Sequence, residues 1–362
     1  MSLEHTYCVI MCGGVGSRFW PFSRQDKPQQ FIDFFGTGKS LLQTTAERAK
    51  ALVPPENILL MTNAAYASLV AEQLPWIPAG NILSEPARRN TAPCICWAAH
   101  HIAAKDPKAA IVTMPSDHLI LREQAFFDAV AEGVAFIKDT GTLLTLGIKP
   151  TGPNTGYGYI QQGAPVEEWP GILKVKSFNE KPDLQMASFF VQSGEFFWNS
   201  GIFLWRADAI LRAFATLDPE TGAVFAEGEN LYGTPGEMEF IGRAYPSAPS
   251  NSVDYAIMEK APNVYVKTVD LGWSDLGTWR SLHEMSPRTR EGNVTQNCNV
   301  LAQDCKECVF AVQGDKLVVA AGLEGYIVAD NDNALLIYPI DQEQKVKQIV
   351  NEVGMRFGEK YI

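Results

Sequence analysis

Over the first 150 or so positions, apolar residues fall into short unbroken runs that alternate with stretches of helical spacing. The runs Tyr7–Met11, Ile58–Thr62, Ile82–Ser84, Ala109–Met114 and Leu143–Leu146 read as strands buried on both faces. Between them, Ser40 is placed as a helix N-cap, followed by Leu41, Thr45, Ala49 and Leu52 on one helical face. A second helix is predicted from Pro93 to Ala104, with proline in its first turn, and a third from Gln124 to Ile137. Strand–helix alternation predicts an α/β fold, a parallel sheet covered on both faces. In such sheets ligands bind outside the carboxyl ends of the strands.

From about 150 to 285 the pattern loosens. Short strands at Gly201–Leu204 and Val264–Val269 stand among glycine, proline and aromatic loops, and Ser252–Lys260 reads as helical. The polar run Ser286–Asn293 reads as a linker. Beyond it, strands are predicted at Asn299–Ala302, Cys308–Val312, Lys316–Ala320, Tyr326–Ala329 and Ala334–Tyr338, closed by a helix over Asp341–Val350. Their spacing of roughly ten residues predicts a small all-β domain or an incomplete β-helix. The chain therefore divides into a domain over 1–285 and a β-rich domain over 286–362 that offers a homodimer surface. No internal repeat or low-complexity tract interrupts it.

Composition narrows the function. At 362 residues and 46% apolar, the chain can bury a large core, and no apolar run approaches a membrane span. A net charge of −11 argues against nucleic acid, which wants a basic face. Met1-Ser2-Leu3 reads as an appended start, and nothing near it has the charged-then-apolar form of a secretion leader. Seven scattered cysteines fit a reducing, cytoplasmic setting. Cys305-x-x-Cys308 with Cys298 raises zinc or redox chemistry, but no histidine lies close and a fourth ligand is missing, so buried structural thiols are the better reading.

Against this acidic background one segment reverses sign. Gly13, Gly14 and Gly16 follow the first strand, then Ser17 and Arg18, and the stretch from Gly14 to Gln25 holds Arg18 and Arg24 with no acid. Closely spaced glycines let backbone N–H groups converge on an anion. A dinucleotide fingerprint fails because Phe19 occupies its third glycine and Pro21 blocks a helix. A Walker A loop ending in Gly38-Lys39-Ser40 fails because its first glycine is Asp33. Two further strings follow predicted strands. Glu85-Pro86-Ala87-Arg88-Arg89-Asn90-Thr91-Ala92-Pro93 carries a capping residue, Asn90 or Thr91, behind two arginines. Met114-Pro115-Ser116-Asp117-His118 leaves a carboxylate at a strand end, a natural Mg²⁺ ligand or a helix cap.

The loop GGxGxR-x-W-P resembles the signature of sugar nucleotidyltransferases, specifically mannose-1-phosphate guanylyltransferases. That resemblance covers Val9 to Trp279 through further strings, Thr155–Ile160, Phe178–Pro182, Trp198–Phe203, Ser252–Lys260 and Gly272–Trp279. It implies a Rossmann-like, mixed, mostly parallel nucleotidyltransferase domain with a small β-helix-like C-terminal domain. It implies GTP and mannose 1-phosphate as substrates, GDP-mannose and pyrophosphate as products, and Mg²⁺ held by Asp117 and Asp275. By the same resemblance Gly13, Gly14, Gly16, Ser17, Arg18, Glu85, Arg88, Asn90 and Thr91 bind the nucleotide. Tyr157, Gly158, Glu180, Lys181, Asn199 and Gly201 hold the sugar phosphate, and Arg18, Asp117 and Lys181 act in catalysis. One position departs. Relatives read Pro-Lys-Gln-Phe where this chain has Pro28-Gln29-Gln30-Phe31, which removes a cation taken to contact the phosphates. Lys27, two residues earlier, is the proposed substitute. The departure keeps two alternatives open, a catalytically weak nucleotide-sugar-binding paralogue and a transferase for another hexose 1-phosphate. The sugar phosphate is already an anion at neutral pH, so no general base is needed, in keeping with only five histidines.

Overall fold

The computed structural model describes residues 3–362, and Met1 and Ser2 of the start segment lie outside them. The chain forms two compact units, and it crosses between them at Gly13–Gly14, Thr45–Ala46, Pro115–Ser116, Leu119–Ile120 and Trp273–Ser274.

The first unit is built on a nine-stranded sheet. Its parallel half runs Ile82–Glu85, Ile58–Asn63, Thr6–Met11, Ala110–Pro115. Val9 pairs in register with Leu59 on one side and Thr113 on the other. These strands are almost fully buried, because helices cover both faces and the sequence has no polar alternation to offer water. Helices Leu41–Leu52, Thr91–Ala103 and Glu123–Thr140 match the predicted spacing. The sheet continues as Phe196–Arg206, Leu143–Ile148, Val264–Thr268, Ile172–Glu180 and Gly158–Pro165. Phe196–Arg206 lies antiparallel to both its main neighbours, so the sheet is mixed. Its inward side chains include Phe203 and Trp205, stacked at 5.3 Å between ring centroids in the core with Trp97, Phe214 and Tyr245.

The hairpin Gly158–Pro165 and Ile172–Glu180 has no counterpart in the sequence pattern. It is glycine-rich and polar, and much of Ile172–Glu180 is only partly buried, so no unbroken apolar run marks it. The segment Ser252–Lys260 is not a regular helix. It makes a π-helical turn at Asp254–Met258, where Glu259 N–H donates to the Asp254 carbonyl at 2.9 Å.

The second unit takes in Gly14–Thr45, Ser116–Leu119 and Ser274–Ile362. Strands Val294–Gln296, Val309–Val312 and Tyr326–Asn331 stack in parallel, with Ala334–Pro339 antiparallel at the edge, and Asn299–Gln303 pairs in parallel with Leu317–Ala321. These are two faces of a short β-helix. Asn297, Asp304 and Glu307 turn its corners with φ of 55°, 51° and 49°. Alternate side chains serve two cores. Phe310 and Val328 pack with Cys305 and Cys308, whereas Val309, Ala311, Ile327 and Ala329 pack with Phe19, Phe22, Phe34 and Trp279. The thiol of Cys308 donates to the Lys306 carbonyl at 3.1 Å and that of Cys305 to Gln303 at 3.4 Å, so both behave as buried structural thiols. The predicted closing helix starts late. Ile340–Lys345 forms a tight turn, because buried Glu343 accepts the Arg280 N–H at 2.8 Å, and the helix runs from Val346 to Phe357.

Candidate active site

In the second unit the glycine loop, both aspartates and the last helix line one cavity of about 280 Å³. The loop contributes Gly16, Ser17 and Arg18. Gly16 sits at φ 68°, and a Cβ there would fall 2.2 Å from Gln29 Oε1, so only glycine lets the turn close over Gln29. Arg18 lies on the short turn Ser17–Phe19, whose Phe19 is fully buried against Trp279 at 5.2 Å. That aromatic anchor fixes the loop.

Asp117 and Asp275, the pair read by resemblance as metal ligands, both line this cavity. Gln29 Nε2 donates to Asp117 Oδ2 at 2.6 Å, and His118 Nε2 lies 4.0 Å from Asp117 Oδ1. Asp275 Oδ1 accepts the Gly277 N–H at 3.1 Å. Each carboxylate is thus oriented by a partner, as supporting contacts orient metal ligands. Two carboxylates beside a glycine–arginine loop offer the hard oxygen donors that suit Mg²⁺, which takes one or two carboxylates and leaves room for phosphate oxygens. Gln29 is 6% exposed, and its Oε1 makes no hydrogen bond among the described residues. Its amide is therefore committed to Asp117. Lys27 is exposed and lies outside the cavity lining, its carbonyl accepting the Arg24 N–H at 3.1 Å. The lining instead includes Lys347, on the solvent-facing side of the amphipathic helix Val346–Phe357 and far along the chain, where no sequence motif singles it out.

The first unit holds the remaining predicted residues in two groups. Glu85 ends its strand 8% exposed. Burial raises its pKa, while hydrogen bonds from Tyr245 and Cys94 act against that rise. Tyr245 donates to Oε1, and a Cβ on Gly13 would stand 3.3 Å from Oε2. Arg88 donates to the Tyr66 hydroxyl at 2.8 Å. Asn90, at φ 65°, caps the Thr91–Ala103 helix by accepting the Thr91 N–H at 2.9 Å, and Thr91 Oγ1 accepts the Val253 N–H at 2.9 Å. The string read for nucleotide contacts thus also builds its own turn.

The second group gathers around Glu180. Lys181 donates to Glu180 Oε1 at 2.5 Å. Burial would lower the lysine's pKa, but Glu180, Asp254 and Tyr255 outweigh it and the net shift is upward. Gly158 pairs opposite Glu180, and a Cβ there would lie 2.5 Å from the carboxylate, so this approach requires glycine. Asn199 donates to Asp254 at 2.9 Å and accepts from Thr145 Oγ1 at 3.0 Å and from Gly201 N–H at 3.2 Å. Tyr157 packs edge-on against Trp198 at 4.9 Å and Trp273 at 5.3 Å. Asp254 belongs to the Ser252–Lys260 string, and the sequence assigns it no role of its own. Burial first, then the Glu180 charge, pushes its pKa up from 3.8 to about 7.

In a mixed, mostly parallel sheet, strands Thr6–Met11 and Ala110–Pro115 lead in sequence into the glycine–arginine loop and Asp117. The nucleotidyl transferase family profile matches residues 7–292, and a MannoseP isomerase/GMP-like beta-helix domain matches 298–353. The chain belongs to the nucleotidyl transferase family. It is 37% identical over 359 residues to mannose-1-phosphate guanylyltransferase ManC of Salmonella typhimurium, spanning 96% of this chain and 73% of that one. It is 36% identical over 348 residues to the xanthan biosynthesis protein XanB of Xanthomonas campestris pv. campestris, spanning 95% and 72%. A crystal structure described as a mannose-1-phosphate geranyltransferase from Thermus thermophilus superposes with a TM-score of 0.87 at 29% identity, covering 97% of this chain and 99% of that one. Within the family, then, the chain groups with the mannose-1-phosphate guanylyltransferases. No described helix is long and apolar enough to cross a membrane.

Proposed function

We propose that the protein transfers GMP from GTP to mannose 1-phosphate, giving GDP-mannose and pyrophosphate. The observation that carries this reading is the cavity that joins the glycine–arginine loop to Asp117 and Asp275. A phosphate oxygen of the sugar phosphate attacks the α-phosphorus of GTP. The new P–O bond forms as the bond to the β-phosphate bridging oxygen breaks, and pyrophosphate carries that electron pair away. The nucleophile is already ionised, so no side chain has to remove a proton. Ser17, Arg18 and the loop N–H groups hold the departing phosphates. Asp117 and Asp275 would hold Mg²⁺, which when bound neutralises charge at the α-phosphate. Glu85, Arg88, Asn90 and Thr91 form the guanosine-reading segment. Lys181 takes the sugar phosphate, and Glu180, Asn199 and the Tyr157 wall take the pyranose. Preorganised charge of this kind is the main catalytic lever when two anions must meet.

Pyrophosphate release, measured across four nucleoside triphosphates and several hexose 1-phosphates with and without Mg²⁺, tests the proposal. The expected result is release with GTP and mannose 1-phosphate, lost on chelation. In Asp117→Asn turnover should fall about 100-fold or more. GTP binding without pyrophosphate release would favour a regulatory paralogue, and near wild-type turnover in Asp117→Asn would remove the metal assignment.

A further inference from the structure

We propose that Lys347, on the last helix of the chain, supplies the phosphate-binding cation that Gln29 does not. The inference rests on the GTP-dependent reading above and goes beyond it, because it makes the C-terminal helix part of the triphosphate subsite. Three observations converge. Gln29 lines the cavity, but its amide is hydrogen-bonded to Asp117 at 2.6 Å, so it orients a carboxylate and adds no charge. Lys347 lines the same cavity as Gln29, Arg18 and both aspartates. Among the described lining residues, Arg18 is the other lysine or arginine, so without Lys347 two carboxylates would face one such cation in a space meant for a triphosphate.

The helix bearing Lys347 is held in place. Val346, its neighbour, is fully buried in the core that contains Phe19 and Trp279. Beyond its far end, Trp20 Nε1 donates to the Tyr361 carbonyl at 2.6 Å and Arg24 Nη1 donates to the Lys360 carbonyl at 3.4 Å. The residues flanking the glycine loop therefore fix the segment that carries the lysine. Lys347 is solvent-exposed, and an ammonium on a flexible stem suits a phosphate oxygen.

The test compares wild type, Lys347→Met, Lys347→Arg and the double variant Lys347→Met/Gln29→Lys. Pyrophosphate release and GTP affinity by titration calorimetry are the readouts. Lys347→Met is expected to weaken GTP affinity and kcat/KM for GTP by about 10- to 100-fold, with KM for mannose 1-phosphate little changed. Lys347→Arg should retain most of the affinity, and lysine at position 29 should restore it in the methionine background. A purely structural role would not permit that rescue. Lys345→Met, outside the cavity, serves as the control and should leave both readouts unchanged. Unaltered GTP affinity in Lys347→Met, with wild type releasing pyrophosphate normally, overturns the inference while the guanylyltransferase reading stands. Failure of wild type itself to release pyrophosphate overturns that reading instead.

Discussion

Asp254 shows what a single residue's surroundings decide. Its carboxyl is buried beside Glu180 and receives one hydrogen bond from Asn199. With a folded-state pKa of about 7 against an ordinary 3.8, the folded protein keeps a proton that the unfolded chain releases within this window. The cost of the buried carboxyl is therefore absent below the unfolded value and grows as pH rises toward the folded one. Asp254→Asn has no proton to lose. Melting temperatures of wild type and Asp254→Asn, followed from about pH 4 to about pH 8, should shift steadily in favour of the variant. A constant difference across that range would mean Asp254 does not titrate there. At this scale the sequence announces residue types well and environments poorly. Asp117, Asp275 and Arg18 stand out because their neighbours are glycine, proline and tryptophan at strand ends. The surroundings of Asp254, the Asn199 amide held by Thr145 and the Glu180 charge, come from residues remote in sequence that meet only after folding.

At the scale of elements, continuous apolar runs mark the parallel strands to within a residue or two, because a strand buried on both faces has no polar alternation to confuse. The helices between 184 and 244 are not assigned from the sequence, although Ala207–Leu217 buries Ala207, Ile210 and Phe214 at helical spacing. In the short helix Glu237–Ala244, tertiary contacts add to that spacing. Buried Glu237 accepts from Trp97 Nε1 at 2.7 Å and from Gly233 N–H at 2.8 Å, and lies 2.8 Å from His101 Nδ1. Burial alone would raise its pKa, but the His101, Gly233 and Trp97 contacts outweigh burial and hold it below its usual value. Glu237→Ala strands two buried polar groups, on Trp97 and His101, and should cost about 3 kcal/mol in urea unfolding. The wild-type contribution should also be lost as pH falls through the depressed carboxylate range, because the partners need the charged form. A loss below about 1 kcal/mol would show that water replaces these contacts.

For the whole molecule, sequence order and packing part ways. The polar linker draws a line at 285/286, yet Gly14–Thr45 packs in one unit with Ser274–Ile362, because Phe19, Trp20, Phe22 and Phe34 find their apolar partners on Trp279 and the β-helix. No local pattern could reveal that, since those partners lie in the last quarter of the chain. The glycine loop therefore depends on the end of the chain. Truncation after Lys345 removes buried Val346, Lys347 and the carbonyl that Trp20 Nε1 uses. The core of the other unit contains no residue of that segment, so its strands should keep their protection. Hydrogen exchange of the truncated protein should show faster exchange across Gly14–Thr45 and unchanged exchange in Thr6–Met11 and Ile58–Asn63, with nucleotidyl transfer lost. Unchanged protection of the loop would mean that the β-helix alone, without the last helix, suffices to hold it.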